Sequence, residues 1–475
     1  MDHGPTAAAS GPVDVCAPRW RWLMQLSLPN AMLIAAGLLL PNLLSLASLV
    51  PGFDIGLPPR SAAIALYASL AILARSIPFA LTALLFFGLL AFDMVQTLSL
   101  MFRLAPTELM RALDQASRIH FFASPLYLTL IGTLVVGTLA ALACLARRSL
   151  LTRGNALVLF TLALAFGVID YAGNVPLQYQ FGSILGRDQP VESAAESSGF
   201  MASAGANGSN VVMVIVESLG YVRDSAARDR IAAPLYGADI IKDYVVTAGH
   251  TPYYGSTTSG EMRELCNTRT FYAEFVLKDG DACLPNLLAA RGYSSIAVHA
   301  FSGGMFQREK WYPIVGFDQA LFGDDLVKTT RRTCGSAFRG ACDADLAPMI
   351  AAASQRAALP GKPRFIYWLT LNTHIPVAPG EALTNFHCER DDNGFGAPQV
   401  CRMAELWHDV FTVVATIARD PAVAPAEILV VGDHAPPLWS RRGRAQFAPG
   451  EVAWYRLQPR QPPIGPNARQ TAVRG

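Results

Sequence analysis

The chain has 475 residues, of which 52% are hydrophobic and only 16% charged, with a formal net charge of +2 and a mean hydropathy of +0.30. Soluble globular domains carry about 25% charged residues, so a wholly soluble chain is excluded, while the length suits about two or three domains. The near-neutral balance, with no basic cluster interleaved with aromatics, excludes an obvious nucleic-acid surface.

The apolar excess lies in the first 175 residues. Five runs, at 28–50, 55–74, 77–101, 121–145 and 156–172, approach the roughly 20 residues that a transmembrane helix needs. The second is the weakest, because Pro58, Pro59 and Arg60 crowd its start; Arg75-Ser76-Ile77-Pro78 forms a turn into the third. Arg19 and Arg21 precede the first run, and Arg147, Arg148 and Arg153 separate the fourth from the fifth. The positive-inside rule puts both sets, with Arg75, on the cytoplasmic side. The fifth helix then exports everything after about Gly173. The first run is too long for a cleavable signal peptide. Arg103, Arg111 and Arg118 fall outside, interleaved with Glu108 and Asp114. Leu109, Met110, Leu113 and Ala116 recur there at helical spacing, which reads as an amphipathic helix on the outer membrane surface or as a solvated loop.

Next comes a stretch rich in Ser, Ala and Gly, with Glu192-Ser193-Ala194-Ala195-Glu196-Ser197-Ser198-Gly199 as its flexible centre. The expected division is a transmembrane domain over 1–175, a linker over 176–209 and an extracytoplasmic domain over 210–475. Six of the eight cysteines lie in that last part. An even number in an exported domain predicts three disulfides. Sequence neighbours give 266–283, 334–342 and 388–401, among the fifteen connectivities possible. With no Cys-x-x-Cys, a zinc ribbon is disfavoured.

Short apolar, β-branched runs then end in polar residues. Val211 to Val216 leads to Glu217, and Ile428 to Val431 leads to Gly432-Asp433-His434. Phe365 to Leu371 leads to Asn372-Thr373-His374, and Ser295 to Val298 leads to His299. Near-continuous apolar strands predict a mainly parallel sheet buried on both faces, with crossover helices such as 284–291 and 345–358. Sites in open α/β sheets form at the carboxyl ends of strands. Glu217, Asp433 and His434 together suit Zn²⁺ or Mn²⁺, and Mg²⁺ less well because of the imidazole.

Between these strands, Gly249 to Glu261 is a small-polar loop whose hydroxyls precede a helix over 260–265. Such hydroxyls either cap the helix or, beside a divalent ion at this anion-binding end, act as a nucleophile.

These segments resemble the alkaline phosphatase/sulfatase superfamily, and within it the membrane-bound phosphoglycerol and phosphoethanolamine transferases, the family of the lipoteichoic acid synthases and the lipid A phosphoethanolamine transferases. Val216-Glu217-Ser218 resembles the strand whose Glu ligates metal, and Gly432-Asp433-His434 the Gly-Asp-His metal motif. Gly255-Ser256-Thr257-Thr258-Ser259-Gly260-Glu261 resembles the nucleophile segment. That register makes Thr257 the nucleophile and a metal ligand and Glu261 the following acid; a slip of one would select Thr258. Thr373-His374-x-Pro376 resembles a segment whose His contacts substrate phosphate, and His299 to Arg308 one whose Arg does so. Phe306 stands where the family often has Trp.

The resemblance implies a five-helix transmembrane bundle followed by an α/β sulfatase-like domain facing the periplasm or exterior of a bacterial-type membrane. It also implies metal-dependent transfer of phosphoethanolamine or phosphoglycerol from a membrane phospholipid to a glycan or glycolipid, through a phospho-threonine. Three rival readings stand beside it. Sulfatase chemistry needs a Cys/Ser-x-Pro-x-Arg context, and neither Cys16-Ala17-Pro18-Arg19-Trp20 nor Cys283-Leu284-Pro285-Asn286-Leu287 has Arg in the fifth place. A phosphatase or phosphodiesterase of the same fold would release to water, and an inactive scaffold would bind no metal. His250, His299 and His408 are candidates for a second ion.

Overall fold

The computed structural model describes residues 27–50, 53–102, 104–113, 116–181, 191–206, 208–276, 283–328, 330, 332–356 and 362–460. Cys16, Arg19, Arg21, Arg103, Asp114 and the 182–190 part of the expected linker lie outside the described residues.

Among the described residues, four helices are long and apolar enough to cross a membrane: Leu28–Ala47, Phe79–Phe102, Pro125–Leu145 and Ala156–Asn174. The fifth, Ser61–Leu73, has only 13 residues, which at ~1.5 Å per residue is about 20 Å, short of a ~30 Å hydrocarbon core. Its late start follows from Pro58 and Pro59, which have no backbone N–H, and from Arg60, which turns into the bundle. There Arg60 pairs with Asp93 on the Phe79–Phe102 helix. Its Nε donates to Asp93 Oδ1 at 2.9 Å and its Nη1 to Ser45 Oγ at 2.7 Å. Its backbone N–H donates to Asp170 Oδ2 at 2.7 Å. Charges inside an apolar bundle persist when paired in this way.

At one end of the bundle, Arg148 Nε donates to the Arg75 carbonyl at 2.7 Å and Arg75 Nη2 to that of Thr152 at 2.8 Å. The α/β part sits at the other end, where the Gly56 N–H donates to the Trp439 carbonyl at 2.6 Å. Arg441 Nη2 donates to Asn174 Oδ1 at 2.9 Å. Pro106–Leu113 is helical, as the spacing predicts. Leu109 turns inward, Met110 outward, and Glu108 accepts from the Ala105 N–H at 2.9 Å.

The strands are β1 (Asn210–Val216), β2 (Gly220–Val222), β3 (Tyr244–Pro252), β4 (Ser294–His299), β5 (Gln319–Leu321), β6 (Thr333–Cys334), β7 (Gly340–Ala341), β8 (Arg364–Leu369), β9 (Ala426–Gly432) and β10 (Phe447–Pro459). The main sheet runs β2-β10-β9-β1-β8-β4-β5, with β3 also paired to β10. β9, β1, β8, β4 and β5 are parallel; β10 is antiparallel to its neighbours. Alternate residues feed two cores. Val212, Val214, Ile366 and Val430 face one, and Val211, Met213, Phe365 and Val431 face the other. That burial on both faces is why the strands read as continuous apolar runs. β6 and β7 form a separate ribbon.

One expectation fails. The Ser/Ala/Glu stretch is not a flexible linker where described: Ala194–Ser197 and Phe200–Ser203 are helical, with Ala194, Ala195 and Phe200 buried. The buried Glu264 carboxylate accepts from the N–H groups of Ala194 and Ala195 at 3.2 and 2.9 Å, which pins the segment to the α/β part. The disulfides join 266–283, 334–342 and 388–401, the neighbour pairing expected.

Candidate active site

The parallel register delivers the candidate residues to one edge. Val216 lies level with Gly432, and His299 with Leu369. Glu217 therefore follows β1, Asp433 and His434 follow β9, His374 follows β8, and His299 closes β4.

Close backbone approaches hold this edge. A Cβ on Gly260 would stand 2.7 Å from Asp433 Cα, so the Thr257–Cys266 helix packs directly on the Asp433 loop. Arg263, fully buried, donates from Nη2 to the Gly432 carbonyl at 2.8 Å and from Nη1 to that of Asp433 at 3.1 Å. Ser218 takes a left-handed φ of 59°. Its N–H donates to Asp433 Oδ1 at 2.7 Å and its hydroxyl to Glu217 Oε1 at 2.9 Å.

Thr257 opens its helix; the N-cap is Ser256, which makes no side-chain cap. The Thr257 hydroxyl instead donates to Glu217 Oε2 at 3.0 Å and lies 3.5 Å from His434 Nε2. His434 Nδ1 donates to the Ala435 carbonyl at 2.9 Å, so Nε2 faces Glu217 Oε1 at 3.3 Å and Asp433 Oδ2 at 3.5 Å. Thr258 is buried one residue further on and is not part of the cavity wall that Thr257 joins.

Ligand atoms of Glu217, Asp433 and His434 lie within 4.8 Å of one another, and Asp433 Oδ2 is buried without a hydrogen-bond partner. Burial, then the neighbouring Glu217 charge, raises the Asp433 carboxyl to about 8. Burial pulls His434 down, but Asp433 and Glu217 outweigh it and lift the imidazole to about 9. Glu217 is lowered: burial opposes ionisation, and His374 and His434 overcome it. Two carboxylates crowded in one dry site need positive charge between them, and this donor set fits a divalent cation. Cys388, Cys401 and Glu405 also cluster, but both sulfurs are committed to a disulfide.

Beside this cluster is a second network. Arg308, only 2% exposed, donates from Nε and Nη2 to Glu261 Oε2 at 3.0 and 2.8 Å. Tyr312 and Tyr367 donate to Glu261 Oε1 at 2.6 and 2.9 Å. Burial opposes the Arg308 charge, yet Glu261 raises its pKa further. His299 Nδ1 donates to the Leu369 carbonyl at 3.1 Å; burial first, then Arg308, lowers it to about 3, so it stays neutral. His374 Nδ1 donates to the Ile375 carbonyl at 2.7 Å and its ring lies 3.9 Å from that of Phe338. Burial lowers its pKa too.

Glu217, Thr257, His299, Arg308, His374 and His434 all line one cavity of about 430 Å³, whose walls continue into the helical bundle as far as Leu130 and Leu134. Two of the second-ion histidines lie elsewhere: His250 pairs with Glu451 at 3.1 Å and His408 with Thr384 at 3.0 Å. Sequence reasoning missed Ser218, Arg263, Tyr312 and Tyr367. The adjacent charges Arg263-Glu264 on the face of a buried helix were the available signal for one of them.

A sequence model of the family described as Sulfatase matches residues 209–448, just over half of the chain. The chain belongs to the sulfatase family. Among solved structures, it is similar to the lipooligosaccharide phosphoethanolamine transferase A (EptA) of Neisseria meningitidis, with 14% identity, 94% of this chain and 89% of that chain covered, and a TM-score of 0.48. It is also similar to the lipoteichoic acid synthase LtaP of Listeria monocytogenes, with 15% identity, 55% and 68% coverage and a TM-score of 0.41. The phosphoglycerol transferase GacH of Streptococcus pyogenes gives 17% identity, 56% and 78% coverage and a TM-score of 0.36. No curated protein sequence matches the chain. The matched region includes the candidate residues Glu217, Thr257, Asp433 and His434.

Proposed function

We propose that this chain transfers a phosphorylated head group, phosphoethanolamine or phosphoglycerol, from a membrane phospholipid to a glycan or glycolipid, through a phospho-threonine at Thr257. One observation carries this reading: a single cavity joins the apolar bundle to the Thr257 hydroxyl. A lipid can lay its chains against Leu44, Leu130 and Leu134 while its phosphate reaches Thr257.

In this reading Thr257 Oγ1 attacks phosphorus. The P–Oγ1 bond forms, the bond from phosphorus to the diacylglycerol oxygen breaks, and the hydroxyl proton, held toward Glu217 Oε2, ends on diacylglycerol. Glu217, Asp433 and His434 would hold a divalent cation, Zn²⁺ or Mn²⁺ before Mg²⁺, which would supply Lewis acidity to the hydroxyl and the phosphoryl oxygens. Arg308, fixed by Glu261, and His374 orient those oxygens from the cavity wall, with His299 as a neutral accessory donor or acceptor. The helices up to about residue 175 anchor the enzyme, and the domain from 210 faces the periplasm or exterior. The three disulfides support that oxidising side, as does the clustering of Arg75 and Arg148 at the far end of the bundle.

The test uses the full-length protein in vesicles of phosphatidylethanolamine or phosphatidylglycerol, followed by mass spectrometry. The expected result is a head-group phosphate on Thr257 that disappears, with transfer, in Thr257→Ala. Undiminished turnover in that variant, or an adduct on Thr258, overturns the nucleophile. Equal product with and without a glycan acceptor favours a phosphodiesterase.

A further inference from the structure

His374 faces the cavity from a loop and not from the sheet, since β8 ends at Leu369. A loop alone holds a side chain less precisely than a strand does, so the aim of this imidazole needs a support. The support is a short segment closed by the Cys334–Cys342 disulfide, whose strands β6 and β7 form their own ribbon apart from the main sheet. The ribbon lies flush against the chain beyond β4 and β8. A Cβ on Gly340 would stand 2.2 Å from the Ala300 carbonyl oxygen and 2.5 Å from Leu371 Cδ2, and the Ala341 N–H donates to that same carbonyl at 3.3 Å.

Two side chains reach from this segment to the His374 loop. Phe338, between β6 and β7, sets its ring 3.9 Å from the imidazole. Asp343, next after Cys342, is 2% exposed. Its Oδ2 accepts from the N–H groups of Leu371 and Asn372 at 2.8 and 2.6 Å. Its own N–H donates to Asn372 Oδ1 at 2.5 Å. The His374 N–H in turn donates to the Leu371 carbonyl at 3.0 Å. Hydrogen bonds to an ionised acceptor are the strong ones, so this carboxylate fixes the backbone from which His374 projects. The metal side is held mainly by other groups. The Glu217 N–H donates to Thr370 Oγ1 at 2.9 Å, before the residues that Asp343 grips. The Glu217 carbonyl accepts from Thr373 Oγ1 at 2.5 Å and from Trp407 Nε1 at 3.4 Å.

We propose that the Cys334–Cys342 segment is the positioning element for His374, with Asp343 as the positioning residue that acts through the backbone of 371–374 and Phe338 as the stop behind the ring. Asp343 is not part of the cavity wall, so it acts on the phosphoryl oxygens only by way of His374. The inference rests on the transferase reading above for what His374 does.

A double-mutant cycle tests this. Full-length, metal-loaded protein in vesicles of phosphatidylethanolamine or phosphatidylglycerol is assayed as Asp343→Ala, as His374→Ala and as the two together. Freeing the loop by about 1 Å predicts a fall in kcat of about 100-fold for Asp343→Ala. KM should change little, because the lost contact is one strengthened in the transition state, and bound metal per folded molecule should stay at the wild-type value. In His374→Ala the same substitution should cost little more, since the group it aims is gone. Asp343→Asn, whose amide oxygen accepts the same two N–H groups, should keep most of the activity. Equal fold losses with and without His374, metal lost along with turnover, or an Asn variant as inactive as the Ala variant each overturn the inference. If Asp343→Ala does not accumulate, Phe338→Leu takes its place in the cycle, and an additive loss there overturns the inference in the same way. Failure of the underlying reading looks different: wild type then forms no Thr257 adduct and transfers no head group, before any variant is compared.

Discussion

Two charged clusters stand side by side on the carboxyl edge of the sheet, and they settle their charge differently. Glu261 and Arg308 balance each other, and Tyr312 and Tyr367 complete the carboxylate, so the cluster is closed. Glu217, Asp433 and His434 bring two carboxylates to one imidazole and leave Asp433 Oδ2 without a hydrogen bond. A buried ion pair with every partner satisfied needs no further charge; a buried excess of one sign does. The contrast separates the network that fixes Arg308 from the cluster whose donors could hold a cation.

The sharpest way to break the open cluster is Asp433→Asn. It keeps the shape and removes one of the two crowded charges. Transfer should fall about 10³-fold or more, on the scale of losing a preorganised electrostatic group at a reacting centre. Bound Zn²⁺ or Mn²⁺, measured by elemental analysis, should fall with it. Chelation should lower the Tm of wild type and leave that of the variant nearly unchanged, because the repulsion that the metal relieves is gone. Equal Tm losses in both proteins would mean that the cluster holds no cation.

Glu261→Gln tests the closed cluster. It strands the Arg308 charge in a dry site, which costs about 3–5 kcal/mol, read as a lower denaturation midpoint. Activity should fall because Arg308 loses its aim, while metal content per folded molecule stays at the wild-type value. Loss of metal here would erase the distinction between the clusters. Gly260→Ala is milder. Its Cβ, 2.7 Å from Asp433 Cα, pushes the metal-side loop away from the nucleophile helix. A displacement approaching 1 Å lowers turnover about 100-fold, with stability down by roughly 1–3 kcal/mol.

Much of this was legible in the sequence, for physical reasons. The strands announced themselves because both sheet faces are buried, and strand ends are where a parallel sheet delivers side chains. The shortness of Ser61–Leu73 follows from two prolines that anyone can read. Glu261 was visible as an acid four residues past Thr257, but its closed network was not, since Tyr312 and Tyr367 look like any aromatic core residues until the fold brings both hydroxyls to Glu261. The stretch at 192–199 misled because composition reports only what a segment lacks. The Glu264 carboxylate that captures Ala194 and Ala195 lies some 70 residues away in sequence. The cavity from bundle to Thr257 is invisible to any local pattern, being made where two halves of the chain meet.

That meeting is held by two charged side chains hydrogen-bonded to neutral groups across it. Asp54, in the loop before the short helix, accepts from the Ser440 hydroxyl and the Arg442 N–H. Arg441 reaches the Ser48 carbonyl at 3.0 Å and Asn174 Oδ1 at 2.9 Å. Both contacts grip the start of the short helix Arg441–Ala445, on the same connection as His434. Arg441→Gln removes one grip without touching a group at the reacting centre. Each lost hydrogen bond to a charged group is worth about 1.5–3 kcal/mol, spread over docking and not over chemistry. KM for a vesicle-borne phospholipid should therefore rise several-fold, while kcat on a short-chain, water-soluble analogue holds, since that donor reaches Thr257 without the bundle. Arg441→Lys should recover part of the loss. An equal drop on both donors would assign Arg441 to the loop geometry of Asp433 and His434 instead, and would make the open cluster dependent on the membrane part for its shape.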